Sequence, residues 1–278
     1  MVECNQKKKN MTKSEEWARD IRREIIEASH DVGRQGVHLG SALSATDILA
    51  VLYADVLKYD VTHPMSEERD FFILSKGHAY IGYYATLAKA GFFTNEDIKE
   101  QFMTDNGWLP VHPVKKLDKG IEFSGGSLGT GMPYSVGKAY AMKIAGRPNK
   151  VYSLVGDGEC DEGSVWEAFM SAAHLGLDNL TVVVDCNSLQ QDGPTEDVLS
   201  VDIASMARSC KWNVLEVDGH NHEELLNAFS AQFDNGKPKC IVAKTVKGKG
   251  ISFMENDNAW HHASMNEKQY QQAKEELS

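Results

Sequence analysis

Positive charge is scarce in this chain. Its 278 residues carry 29 lysines and arginines against 40 aspartates and glutamates, a formal net charge of -11. That balance argues against a sequence-independent grip on nucleic acid, which works by neutralising phosphates, and against a polybasic hold on a membrane surface. Any anionic ligand has to be met by local chemistry. Cysteine is sparse as well. Cys4, Cys160, Cys186, Cys210 and Cys240 form no C-x-x-C pair and no zinc-site spacing, and their odd number argues against a disulfide framework. They read as reduced thiols of a cytoplasmic protein. The basic start "MVECNQKKKN" leads into a polar, acidic stretch rather than a signal core, and no later apolar run is read as approaching a membrane span. Repeats, low-complexity blocks and domain linkers are also missing, so residues 1-278 are expected to form one domain with 1-12 as a frayed tail.

The residues that are present, 42% of them hydrophobic, are enough for a full core. Trp17, Ile21, Ile25 and Ala28 recur at helical spacing behind Ser14 as an expected N-cap, and a second helix is expected from about Ser44 to Leu57. "FFIL" (71-74) reads as a short buried strand delivering "SKGHAY" at its end. Helices follow at 79-90 and, behind Thr94 with Asp97 three residues on, at 95-103. Residues 104-130 are too rich in proline and glycine for regular elements, and a loop that long in a compact domain is usually functional or disordered. Beyond them strands at 151-155, 180-185, 213-217 and 239-245 alternate with helices at 132-145, 164-175, 202-209 and 222-233. "VYSLV", "LTVVVD" and "CIVAKTV" are apolar on both faces, as strands covered by helices on both sides must be. The expectation is an α/β doubly wound parallel sheet with its ligand at the carboxyl ends of the strands.

At one such end, "LVGDGECDEG", a glycine turn of the kind that holds phosphates is crowded by Asp157, Glu159, Asp161 and Glu162. A dinucleotide fingerprint would need a third glycine where Asp161 stands, and no G-x-x-x-x-G-K-[ST] occurs. A cation between acids and phosphate reconciles the two. Mg²⁺ combines one or two protein oxygens with phosphate oxygens in near-octahedral geometry, and Asp157 with Asn187, at the ends of successive strands, could supply that half-shell. The alternative is that each is an ordinary loop former.

With Asn187 about thirty residues after "GDG", the pattern resembles the signature of thiamine-diphosphate enzymes. "GVHLGSALSATDIL", "SKGHA", "GGSLGTG", "GDGECDEGSVWEA", "KTVKGKG" and "WHH" resemble, in order, the N-terminal half of transketolase from about residue 15 to 265. The resemblance implies a thiamine diphosphate-binding fold, here its diphosphate-binding domain, with 246-278 as an extension carrying the His261 loop. It implies that Asp157, the Asn187 side chain and the Leu189 carbonyl hold Mg²⁺. Lys76, His78, Gly158 and Lys247 would contact the cofactor diphosphate, Gly126, Ser127 and Leu128 would line the wall beside it, and His261 would border it. His38, His112 and His261 match histidines that surround the substrate carbonyl and hydroxyls. Glu162 matches a glutamate in a network between subunits. His30, His63, His174, His220 and His222 match nothing and are expected to be capping or surface residues. Cys160 and Cys186 are expected to be packing residues, since thiolates suit hard Mg²⁺ poorly.

In that family the glutamate that activates the cofactor's aminopyrimidine, and the arginines that grip substrate phosphate, belong to a second, pyrimidine-binding domain. "NEKQYQQAKEEL" reads as a terminal helix with no such domain after it. The resemblance therefore implies the N-terminal subunit of a split transketolase, joined by a C-terminal subunit in a heterotetramer. Its reaction would pass a two-carbon ketol unit from a ketose, such as a sugar phosphate, to an aldose. A ketol transferase using a sulfosugar or branched-sugar donor, and a non-catalytic cofactor-binding module, are the alternatives.

Overall fold

The structure, a computed structural model, describes residues 11–278. Strands β1 (Phe71–Leu74), β2 (Val151–Gly156), β3 (Leu180–Cys186), β4 (Asn213–Asp218) and β5 (Lys239–Lys244) form one parallel sheet in the order β1-β2-β3-β5-β4. In chain order the helices are α1 (Lys13–Asp31), α2 (Leu39–Val51), α3 (Tyr80–Ala90), α4 (Asn95–Gln101), α5 (Gly131–Ile144), α6 (Gly163–His174), α7 (Thr195–Val198), α8 (Ile203–Ser209), α9 (His222–Ser230) and α10 (Glu267–Glu276).

Strand periodicity divides the apolar residues between two cores. Phe72, Leu74, Tyr152 and Leu154 face α1, α2, α3 and α9, where Ile25, Leu43, Ile48 and Phe229 are buried with them. Phe71, Ile73, Val151 and Val155 point the other way, onto Val136 of α5, Phe169 of α6 and Ala207 of α8. Both faces of the sheet are therefore covered, and the doubly wound expectation holds.

Several local expectations change. Thr12 rather than Ser14 caps α1: its Oγ1 accepts the Glu15 N–H at 3.3 Å while Glu15 accepts the Thr12 N–H at 2.6 Å, leaving Ser14 buried in the first turn. Of the expected tail, residues 1–10 lie outside the described residues. Thr94 and Asp97 form the expected reciprocal cap. α2 begins at Leu39, not near Ser44, because Gly40 can sit inside the helix against Lys247; a Cβ there would stand 2.8 Å from the Lys247 Cγ. Continued by a wider turn at Leu52–Val56, it makes an 18-residue apolar helix of mean hydropathy 1.4, which corrects the expectation that no apolar run approaches a span. It is 89% buried inside the protein, as a core helix is. α9 stops at Ser230 rather than 233: Ala231 turns extended, and Lys239 Nζ takes up the carbonyls of Ala228, Phe229 and Ala231 at 2.9, 2.6 and 3.1 Å. The short helix α7 has no counterpart among the helices expected from periodicity.

The sheet order sets the site. Lys76, Asp157, Asn187 and Lys247 follow β1, β2, β3 and β5, four neighbouring strands, so all four leave the sheet at one edge. The segment after β5 runs back to pair Ala263 with Val37, and α10 then packs on α1, with Arg23 Nε donating to the Leu277 carbonyl at 2.7 Å. That return carries His261 over the start of α2.

Candidate functional site

At the carboxyl edge lies a cavity of about 260 Å³, lined by every site residue expected from the sequence except Ser127, which is exposed. Its two ends differ in chemistry.

One end is charged. Asp157 stands directly after β2 and accepts the N–H of Gly158 at 2.9 Å and of Ser188 at 2.6 Å. The second bond exists because Ser188 adopts a left-handed conformation, φ 64°, which folds the β3 exit back toward β2. In the same turn Asn187 Oδ1 accepts the Leu189 N–H at 3.2 Å. Burial, and then the charge of Asp185, push the Asp157 carboxyl up to about 6. Lys247, only 1% exposed, places Nζ 3.3 Å from the Leu189 carbonyl, 3.2 Å from Asn258 Oδ1 and 3.1 Å from His261 Nδ1. None of these partners is a carboxylate. Burial, then the charge of Lys76, lower its pKa to about 8, so it remains an ammonium at neutral pH.

Three residues to which sequence reasoning gave no role support this end. Asp185, fully buried in β3, pairs with Lys76 and accepts Ser44 Oγ at 2.7 Å and the Thr245 hydroxyl. Lys76 is therefore anchored inward. Glu159, one of the crowded acids, is buried in the cavity wall, where it accepts Ser75 Oγ at 2.5 Å and the N–H groups of Gly129 and Gly156 at 2.9 and 3.1 Å, tying the loop before α5 to β2. Burial raises its pKa. Gln190 Nε2 donates to Asp161 at 2.8 Å and closes the rim over Gly158.

The other end is a cluster of imidazoles. His38, before the first turn of α2, lies 5.3 Å from His261, 5.7 Å from His78, 6.2 Å from His112 and 4.7 Å from His262, between ring centroids. His262 was the overlooked half of "WHH"; it is exposed on the rim, and its place beside His261 in the sequence was the signal for it. Burial lowers His38 to about 3 and His261 to about 4, helped by the neighbouring His261 ring in the first case and Lys247 in the second. Burial and Lys76 likewise hold His78 well below the usual range. These rings are neutral at pH 7. His38 Nδ1 and His112 Nδ1 are buried without a hydrogen-bond partner. Gly126, at φ 140°, brings the loop against the His112 ring, 3.3 Å from where a Cβ would sit.

Of the remaining expectations, Glu162 is exposed, Cys160 is buried in the core and Cys186 is packed against it. His220 and His222 are not surface residues: both are largely buried and hydrogen-bonded to Asp47, at 2.6 and 3.0 Å. Periodicity could not show this, because the partners lie 173 and 175 residues apart.

The donor set fits the two groups implied by the family resemblance. A carboxylate, an amide oxygen and a carbonyl suit a hard divalent cation, and among the described residues there is no cluster of three or more His, Cys, Asp or Glu to hold a metal without further ligands. A buried ammonium without a carboxylate partner suits an anionic oxygen.

A family model described as "Transketolase, thiamine diphosphate binding domain" matches residues 18–278. The chain is 40% identical to an apulose-4-phosphate transketolase subunit from Actinobacillus succinogenes over 95% of each chain. It is 38% identical to a 6-deoxy-6-sulfo-D-fructose transketolase subunit from a Clostridium species over 89% of this chain and 90% of that one. Among solved structures, transketolase from Campylobacter jejuni superposes with a TM-score of 0.89 at 29% identity, over 97% of this chain and 43% of that chain. Transketolase from Leishmania mexicana gives 0.85 at 29% identity, over 96% and 42%. The chain thus spans nearly the whole of the subunit relatives and less than half of the solved transketolase chains.

Proposed function

The chain belongs to the transketolase thiamine diphosphate-binding domain family, and on that premise we propose that it is the N-terminal subunit of a split ketol transferase, holding Mg²⁺ and the cofactor diphosphate. The observation that carries this reading is the convergence of Lys76, Asp157, Asn187 and Lys247 from four adjacent strand ends on one side of a cavity whose other side is neutral imidazole.

Asp157, Asn187 Oδ1 and the Leu189 carbonyl would hold the metal, and Lys247 and the Gly158 backbone would meet the diphosphate. When bound, thiamine diphosphate supplies the nucleophilic carbon that breaks the bond beside a ketose carbonyl and carries the two-carbon unit. The chain's own part is to bind, orient and move protons. His38 and His112 each keep a buried Nδ1 without a partner, which a sugar hydroxyl would satisfy. His261 links the two ends, because it shares its Nδ1 with Lys247. An anion taken up by Lys247 would offset the second cause that depresses His261, the neighbouring ammonium charge, while burial continues to hold the ring neutral.

The glutamate and arginines that complete the reaction in the family would come from a C-terminal subunit in a heterotetramer. A cytoplasmic location completes the reading, supported by the free thiols of Cys160, Cys186, Cys210 and Cys240. The names of the two subunit relatives favour a branched or sulfonated ketose donor over an ordinary sugar phosphate. Affinity purification of the tagged chain from its own cells, with mass spectrometry of what co-elutes at equal stoichiometry, tests the split. A co-eluting pyrimidine-domain chain supports it, and recovery of this chain alone under complex-preserving conditions rejects it.

A further inference from the structure

His220 and His222 belong to a charged cluster behind the cavity wall. Asp47, in the middle of α2 and 5% exposed, receives N–H groups from three segments. Arg22 of α1 reaches its two oxygens through Nη1 and Nη2 at 3.0 and 2.6 Å, His220 through Nδ1 at 2.6 Å, and His222 through Nε2 at 3.0 Å. Burial alone would raise this carboxyl; the Arg22 charge and the two imidazoles hold it well below the usual carboxylate range.

From Asp47 two arms reach the loop that carries Lys247. β5 makes its last ladder bond at Thr245, whose N–H goes to the Cys186 carbonyl. The next N–H, of Val246, donates to His220 Nε2 at 2.8 Å. Because Nε2 accepts there, Nδ1, the nitrogen facing Asp47, is the one that donates, and the two neighbours set those roles. The second arm is Arg22, whose Nε donates to the Lys249 carbonyl at 3.1 Å. Gly250, at φ 95°, lies so close to that side chain that a Cβ would stand 3.0 Å from Arg22 Cδ. The backbone is thus gripped on both sides of Lys247, while Gly248 N–H donates to the Gly40 carbonyl at 3.0 Å between them.

We propose that Asp47 and His220 are a positioning couple, which fixes the Val246–Gly250 loop and thereby aims the Lys247 ammonium at the diphosphate end of the cavity. A lysine side chain has many rotamers to lose, so a fixed backbone origin and the Gly40 groove reduce what remains to be ordered when an anion arrives. This inference rests on the assignment of Lys247 to the diphosphate.

The test compares the full chain with His220→Phe, which removes the acceptor, His220→Gln, which restores an acceptor and a donor, and Lys247→Met. Amide exchange is read residue by residue by NMR, and the affinity for inorganic pyrophosphate with Mg²⁺ is read by calorimetry. The expected result is Val246 exchange about tenfold faster or more in His220→Phe, with the amides of β2 and β3 unchanged. Pyrophosphate affinity falls in the same variant by about fivefold, and His220→Gln recovers part of both losses. Unchanged Val246 exchange in His220→Phe overturns the inference, as does full pyrophosphate affinity in His220→Phe when Lys247→Met has lost it. Full affinity in Lys247→Met instead overturns the diphosphate assignment, and this inference with it.

Discussion

At the charged end of the cavity each of these side chains already has partners within the chain: Asp157 has two backbone N–H groups, Lys76 has Asp185, and Lys247 has a carbonyl, an amide oxygen and an imidazole. At the histidine end, His38 and His112 each keep a buried ring nitrogen without a partner, and His262 lies open on the rim. Preorganised anchors cost little further ordering when a ligand binds, whereas unpartnered buried nitrogens are left for the ligand to satisfy. The contrast fits a chain that fixes its cofactor through one end and presents the other to a sugar and a second subunit.

Substitutions can separate the two ends. Asp157→Ala has the largest expected effect, complete loss of Mg²⁺-dependent thiamine diphosphate binding; unchanged affinity in calorimetry rules out the metal assignment. His38→Ala is expected to leave cofactor affinity intact while lowering turnover of the reconstituted complex by about a hundredfold or more, the scale of lost proton-transfer assistance. A parallel fall in cofactor affinity would dissolve the distinction between the ends. Lys247→Met should weaken thiamine diphosphate by roughly tenfold to a hundredfold, the value of a charged hydrogen bond, and leave thiamine itself unaffected. Equal losses for both ligands would place Lys247 elsewhere in the site.

A separate effect is on stability. His38 titrates at about 3 in the fold against 6.5 unfolded, so the unfolded chain takes up its proton first as pH falls. The contribution of the neutral ring is fully present above pH 6.5 and is lost progressively as pH drops toward 3. Wild type should therefore lose stability relative to His38→Asn across that window in urea titrations, and parallel curves would show that His38 is not held neutral by the fold.

The strand ends were legible because each functional residue directly follows an apolar run or lies within two residues of it: Lys76 after "FFIL", Asp157 after "VYSLVG", Asn187 after "LTVVVDC". Asp185 was hidden for the same reason, since inside such a run it reads as part of the strand. The Asp47 cluster was illegible because its members lie 25, 173 and 175 residues apart and each resembles an ordinary helix or turn residue. Boundaries slipped where two cappers compete, as Thr12 and Ser14 do, or where a side chain of the following strand sets the stop, as Lys239 does for α9.

Under the proposed function this chain anchors the cofactor and needs a second chain for turnover. Ketol transfer should be assayed with the rigorously purified chain, thiamine diphosphate, Mg²⁺ and candidate ketose donors, before and after adding the co-purified partner. No turnover is expected from the chain alone, and turnover once the partner is added; robust turnover by the chain alone would rule out the split enzyme.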